Sequence, residues 1–308
     1  MLGVIAGFSV VWVVILTGFA VGRANVLGPE GSRALSRLAF FVASPCLLLE
    51  TLSRSDLAVI FSDTLIVAAV SAVVTAIVFL LFARLWLKRD LSDALIGSMS
   101  SSLVNSANLG LPVAAYVLGD ATLVAPVLIF QLAFFSPVFL MLLDSNTSRH
   151  RTTVFSFLFQ IVRNPMIIGT GIGLLLAATG WQPPELVMEP IRLIGGAAVP
   201  AMLIAFGISL NGSKPLQAGG GRRVDVVLGS AFKLVLQPAV AYLVARFALG
   251  MEGHLLFSAV VLAALPTAQN VFVTAQRYER GIVIAKDTVL LTTIVAVPAM
   301  MGLAALLA

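Results

Sequence analysis

The chain has 308 residues, 59% of them hydrophobic and only 11% charged, with a mean hydropathy of +1.05. Soluble domains carry about 25% charged residues, so too little of this chain can face water and too much is apolar for one soluble core. The formal net charge of +5 and pI near 9.9 would suggest nucleic acid in a soluble protein. Here the charges fall in short loops between apolar runs, which excludes nucleic acid as a partner and leaves a lipid bilayer.

Apolar runs long enough to cross a bilayer recur from end to end. Residues 3–22 make the first; Arg23, the first positive charge, follows the run, so residues 2–22 read as a retained helix rather than a signal peptide. The second, 34–52, holds Pro45, the lone Cys46 and, late, Glu50, which reads as a buried protonatable acid or, preferably, as an interface partner of Arg54. The third covers 64–87 and the fourth 94–118, with Ser100, Ser101, Ser102, Asn105, Ser106, Asn108, Gly110 and Pro112 in its middle. The fifth, 122–143, carries Gln131 and Pro137, and 152–163 reads as an interfacial lead-in to the sixth, 164–180. The seventh is 187–210, with Pro200, and the eighth 224–248, with Lys233 four residues before Gln237-Pro238. The ninth, 254–276, has Pro266, Thr267, Gln269 and Asn270 in its middle, and the tenth, 284–307, has Pro298. Asp120, Asp144, Lys286 and Asp287 near span ends read as surface charges. One cysteine precludes an intrachain disulfide, and His150 and His254, in different loops, make no metal site, so no cofactor is expected.

The distribution of basic residues tests the count. Fifteen of the 19 lie in odd-numbered loops and three, Arg54, Arg192 and Arg246, in even ones; the last is Lys233. By the positive-inside rule the odd loops are cytoplasmic and both termini lie outside. Pro45 and Pro200, Pro112 and Pro266, and Pro137 and Pro298 pair at near-constant separation, and spans one and six both hold GxxxG (Gly18 and Gly22, Gly169 and Gly173). The reading is a duplication of five helices, 1–151 and 152–308. Because five is odd, the copies have inverted topology, a plan common in secondary transporters.

Spans four and nine are the most polar of the apolar-flanked stretches. Proline removes an amide hydrogen and crowds the carbonyl four residues back, so Pro112 is expected to free the carbonyl of Asn108 and Pro266 that of Leu262. Non-helical backbone at membrane depth is tolerated only inside protein or beside a water-filled cavity, and half-helix N-termini suit a carboxylate. An ordinary proline kink is the plainer alternative for one helix; two polar breaks at matched positions favour a site. Lys233 costs about 2.5–3.5 kcal/mol at the bilayer centre. It reads as a cationic contact for the anion, a coupling group, or a side chain snorkelling to the cytoplasmic surface. For H+ or Na+ coupling, Glu50, Gln131, Thr267 and Gln269 are the candidates.

The stretch NSANLGLP, residues 105–112, resembles the fourth-helix crossover of the auxin efflux carrier family, and LPTAQNVFVTAQRY, 265–278, its ninth. RNPMIIGTGIGLLL (163–176) and VPAMLIAFGISL (199–210) are also typical, so the resemblance covers nearly the whole chain. That family includes plant auxin carriers and bacterial malonate and malate permeases, and is similar in fold to the sodium–bile acid symporters. The resemblance implies that spans four and nine cross near Pro112 and Pro266, with substrate beside the crossing and Asn105 on its carboxylate. It also implies a scaffold of spans 1, 2, 6 and 7 against which spans 3–5 and 8–10 move as an elevator, and mildly favours a homodimer. This chain lacks the long central hydrophilic loop of many plant members. It also has Thr267 to Asn270 where the plant pattern is more apolar, with a second proline, which fits a bacterial permease better than an auxin carrier.

The expectation is therefore an all-α, ten-helix carrier of the bacterial inner membrane moving a small organic anion, such as malonate, malate or an auxin-like acid. Asn105, Asn108, Gly110, Pro112, Pro266, Thr267, Gln269, Asn270 and Lys233 form its site. An anion channel and a non-transporting sensor are the alternatives. No HExxH, nucleophile elbow or intramembrane aspartate pair points to an enzyme.

Overall fold

A computed structural model of the protein describes residues 2–54, 63–147, 163–211 and 222–307. The lead-in expected at 152–163, except Arg163, lies outside them, as do Arg149, His150, Arg151 and Lys214. The described residues are helical: α1 Leu2–Arg23, α2 Gly31–Leu52, α3 Asp63–Leu85, α4 Leu91–Ser102, α5 Leu111–Tyr116 and α6 Ala121–Asn146. There follow α7 Pro165–Thr179, α8 Glu185–Ser209, α9 Arg223–Ala248, α10 Gly253–Ala263, α11 Asn270–Tyr278 and α12 Ile282–Leu307. The one β feature among them is an isolated antiparallel bridge between Val104 and Thr267.

Local chemistry sets several helix ends. The Asp90 carboxylate accepts from the amide of Asp93 and caps α4. Asn164 caps α7, with Pro165 in the first turn, where its missing amide costs nothing. Gly180, at φ 66°, ends α7.

Besides Val244–Ala248, four turns widen to π-helical geometry: Ala39–Ala43, Ser106–Gly110, Gln131–Phe135 and Phe232–Leu236. Each ends two residues before a proline, namely Pro45, Pro112, Pro137 and Pro238. A proline leaves the carbonyl four residues back without a donor and pushes on it; the extra residue in the turn moves that carbonyl aside. The amides of Ser44, Ser136 and Gln237 accordingly bond five residues back, to Ala39, Gln131 and Phe232.

By length and composition α2, α3, α6, α8 and α9 can each cross a membrane, and α12, bent by 46° at Pro298, makes a sixth. Of α1 the stretch Ser9–Arg23, together with α7 and α10, is apolar but shorter. Large apolar side chains stand exposed, among them Leu186 at 88% and Leu193 at 79%, which suits lipid and not water.

The chain forms two compact units. The first gathers α1, α2, α5, the start of α6 up to Ile129, α7 and α8; the second gathers α3, α4, α6 from Phe130 onward, and α9 to α12.

In the first unit α1 packs on α8 and α7 on α2. A Cβ on Gly18 would lie 2.4 Å from the Ile204 carbonyl oxygen, and one on Gly207 would lie 2.0 Å from that of Ile15. On α7, a Cβ at Gly169 would meet the Pro45 carbonyl at 2.4 Å and one at Gly173 that of Leu49 at 2.9 Å. Small residues let helices approach where lipid supplies no hydrophobic drive, and both GxxxG faces are used inside the chain; Gly171 faces open space. Near the end of α2, Glu50 pairs with Arg54 and with Arg192, which also holds Glu185 and Glu189.

In the second unit every residue of α4 from Ser92 to Ser102 is buried. At the start of α4, Arg89 donates twice to Asp225, at 2.9 and 2.7 Å. Asp93 pairs with Arg222 and accepts from the Gly281 amide, and Asn146 donates to Ser92. Tyr278 donates to Asp144. Asp144 and Asp287, expected at the surface, are 8% and 5% exposed: helix ends from four stretches of chain converge here and cover them. Asp120 and Lys286 are exposed as expected.

Candidate functional site

In the second unit α4 and α10 both stop inside the apolar part of the chain. After Ser102 the backbone turns extended at Leu103 (φ −83°, ψ 113°). After α10 ends at Ala263, Pro266 cannot supply an amide and biases Leu265 to extended geometry. The two extended stretches run antiparallel. The Asn105 amide donates to the Pro266 carbonyl at 2.7 Å and the Ala268 amide to the Leu103 carbonyl at 3.0 Å, flanking the Val104–Thr267 bridge.

A helix end leaves its last carbonyls without intrahelical donors, and burying them unpaired is costly. Here side chains supply donors to three of them. The Thr267 hydroxyl donates to Ser100 O at 2.6 Å, the Gln237 amide to Ser102 O at 3.0 Å, and the Lys233 ammonium to Ala263 O at 2.9 Å and Gln237 Oε1 at 2.6 Å. The Thr267 amide in turn donates to Thr292 Oγ1 at 3.1 Å. Lys233 is 0% exposed, so it does not snorkel.

Two details differ from the proline argument. The first break lies at 103–105, well before Pro112, which sits in the first turn of α5. α4 ends because the stretch after it pairs with 266–268, not because a proline forces it. At the second break the carbonyl that takes a side-chain donor is Ala263's, one residue beyond Leu262.

The structure thus brings Asn105, Pro266, Thr267 and Lys233 together in the second unit. Asn105 and Thr267 are 2% and 0% exposed. Gln269, half-buried, and Asn270, exposed, open α11, whose start carries no side-chain cap. Asn108, half-buried, and Gly110, buried, lie in the π turn ahead of α5, with buried Pro112 just after it, in the first unit. Gln131 is buried in the π turn of α6, and Glu50 belongs to the arginine cluster of the first unit. Gln237 and Thr292 were missed as site residues. Gln237 carried a signal, since Lys233 and Gln237 are the polar residues four apart in an otherwise apolar run; Thr292 carried none.

Paired helix breaks whose end carbonyls take donors from distant side chains, in an all-helical chain with several apolar spans, belong to a polytopic membrane transport protein. The family described as Membrane transport protein matches residues 5–304, and the chain belongs to it; this is the auxin efflux carrier family. A protein of Rhizobium meliloti provisionally named a malonate transporter is 27% identical over 94% of this chain and 91% of its own. An uncharacterized transporter of Methanothermobacter thermautotrophicus is also 27% identical, over 92% of each chain. Auxin efflux carrier component 1 of Arabidopsis thaliana is 29% identical over 45% of this chain and 22% of its own. The protein is a membrane transporter.

Proposed function

We propose that the protein is a secondary carrier that moves a small mono- or dicarboxylate across the bacterial inner membrane by alternating access. The observation that carries this reading is the double break of α4 and α10. Carbonyls at its C-terminal ends take internal donors, while the start of α11, with Gln269 and Asn270 and no side-chain cap, keeps a positive dipole end suited to a carboxylate. Asn105 and Thr267 complete the proposed set in the second unit. The names of two relatives, one for malonate and one for auxin, share a carboxylate as cargo.

The same reading takes ten spans in two inverted copies of five, with both termini outside. Supporting it, bonds of the second unit join Arg89, Ser92 and Asp93 to Asn146, Arg222, Asp225 and Gly281, tying together stretches beside the Arg- and Lys-rich loops. In the first unit, Glu50 with Arg192, and Gln182 with the Ser53 carbonyl, tie together stretches beside two of the loops poor in these residues. The division into two units supports a two-body, elevator-like carrier, with α1, α2, α7 and α8 in one body and α3, α4 and α9 to α12 in the other.

The test is thermal unfolding of purified protein against a panel of acids including malonate, malate and indole-3-acetate, followed by flux in liposomes. A ligand at a hundred times its dissociation constant stabilises by about 2.7 kcal/mol. A carboxylate that raises the melting temperature of the wild type but not of Asn105→Ala, and that shows saturable counterflow, is the expected result. Response only to neutral or cationic compounds overturns the anion assignment.

A further inference from the structure

Lys233 is buried inside the bundle, and among the described residues no carboxylate pairs with it. Its acceptors are neutral: Gln237 Oε1 and the Ala263 carbonyl at the last residue of α10. Gln237 turns its other end to the Ser102 carbonyl, at the last residue of α4. One pair of side chains, four residues apart on α9, therefore caps the C-terminal ends of both broken helices. Each end carries roughly half a negative elementary charge. The Val104–Thr267 bridge holds the two ends side by side, so together they present about one negative charge. One ammonium neutralises it.

We infer that Lys233 is a built-in counter-cation. Its ammonium occupies a site of carbonyl and amide oxygens that would otherwise take a small monovalent cation from solution, and it holds the double break together rather than touching the transported solute. The π turn Phe232–Leu236 belongs to this device. By adding one residue ahead of Gln237-Pro238 it rotates Lys233 relative to the helix after it, and π turns recur where helices are adapted to such tasks. Because the cation is covalently supplied, the break needs no ion from outside, and the fold is indifferent to sodium.

The test compares melting temperatures in sodium chloride, methylammonium chloride and choline chloride at equal ionic strength, choline being too large to enter. Wild-type protein melts alike in all three. Lys233→Met, which fills the space without charge, loses roughly 5–10 °C in every salt. Lys233→Ala loses as much in choline and recovers at least half of the loss in methylammonium or sodium, whose ions enter the emptied site. Three results overturn the inference: a wild type that gains several degrees from sodium over choline, a Lys233→Met protein that melts with the wild type, or a Lys233→Ala protein that neither small cation restores. The wild-type comparison applies even where the variants fail to fold. No transported solute enters these measurements, so their failure is distinct from failure of the anion assignment.

Discussion

Replacing Thr267 by valine removes one hydroxyl and keeps the shape of the side chain. That hydroxyl donates to the Ser100 carbonyl at 2.6 Å, at a residue that is 0% exposed. In an unbroken helix the Ser100 carbonyl would be served by the amide of Val104, but Val104 lies beyond the end of α4, in the bridge with Thr267. Valine therefore leaves a buried acceptor at a helix end with no replacement donor. A buried unsatisfied group costs about 1–3 kcal/mol, while side-chain hydrogen bonds inside membrane proteins average about 0.6 and reach about 1.7 kcal/mol. The lower scale reflects groups that find other partners. This carbonyl sits in fixed backbone, so the upper part of that range applies and the expected loss is about 1.5 kcal/mol. The assay is unfolding of purified protein in detergent, comparing Thr267→Val with Thr267→Ser, which keeps the donor, and with Thr274→Val. Thr274 is half-buried and makes a solvent-side bond to the Asn270 carbonyl on its own helix, so its loss costs under about 0.5 kcal/mol. If Thr267→Val melts with the wild type, or Thr267→Ser loses as much as the valine, the hydroxyl does not hold the break and the reasoning is refuted.

Gly207→Ala places a methyl 2.0 Å from the Ile15 backbone oxygen and forces α1 and α8 apart; overpacking of this kind costs about 1–3 kcal/mol. Gly171→Ala, facing open space, is expected to melt with the wild type, and equal melting of both variants would contradict the packing of the first unit. For Arg89 and Asp225, with side chains 25% and 1% exposed, Arg89→Met should destabilise strongly alone because it strands a buried carboxylate. It should cost much less in an Asp225→Asn background. A double-mutant cycle should give a coupling of about 1–3 kcal/mol, and a coupling near zero would mean that the pair does not join α4 to α9.

The membrane class and the positions of most helices were legible in the chain because both depend on local quantities: the length of an apolar run, the bias of basic loops, the missing amide of a proline. Pro45, Pro112, Pro137 and Pro238 also mark where the helices widen, since the strain a proline creates is local. The polar stretches around Asn105 and Thr267 stood out for the same reason, as costs that an apolar run does not carry without cause. What the chain alone left open was where each such cost is met. Whether Lys233 reaches a solute, the surface or a helix end depends on what packs against α9, and only the folded bundle sets its ammonium on Ala263 and Gln237. The first break falls at 103–105 rather than at Pro112 because the partner stretch 266–268 supplies the missing hydrogen bonds from more than 150 residues away. The burial of Asp144 and Asp287, and the consumption of both glycine faces within the chain, likewise came from long-range packing. The sequence by itself determined that polar backbone would be exposed at two points in a membrane-spanning chain; the tertiary structure decided which donors satisfy it, because hydrogen bonds between distant segments depend on their arrangement in space and not on their order.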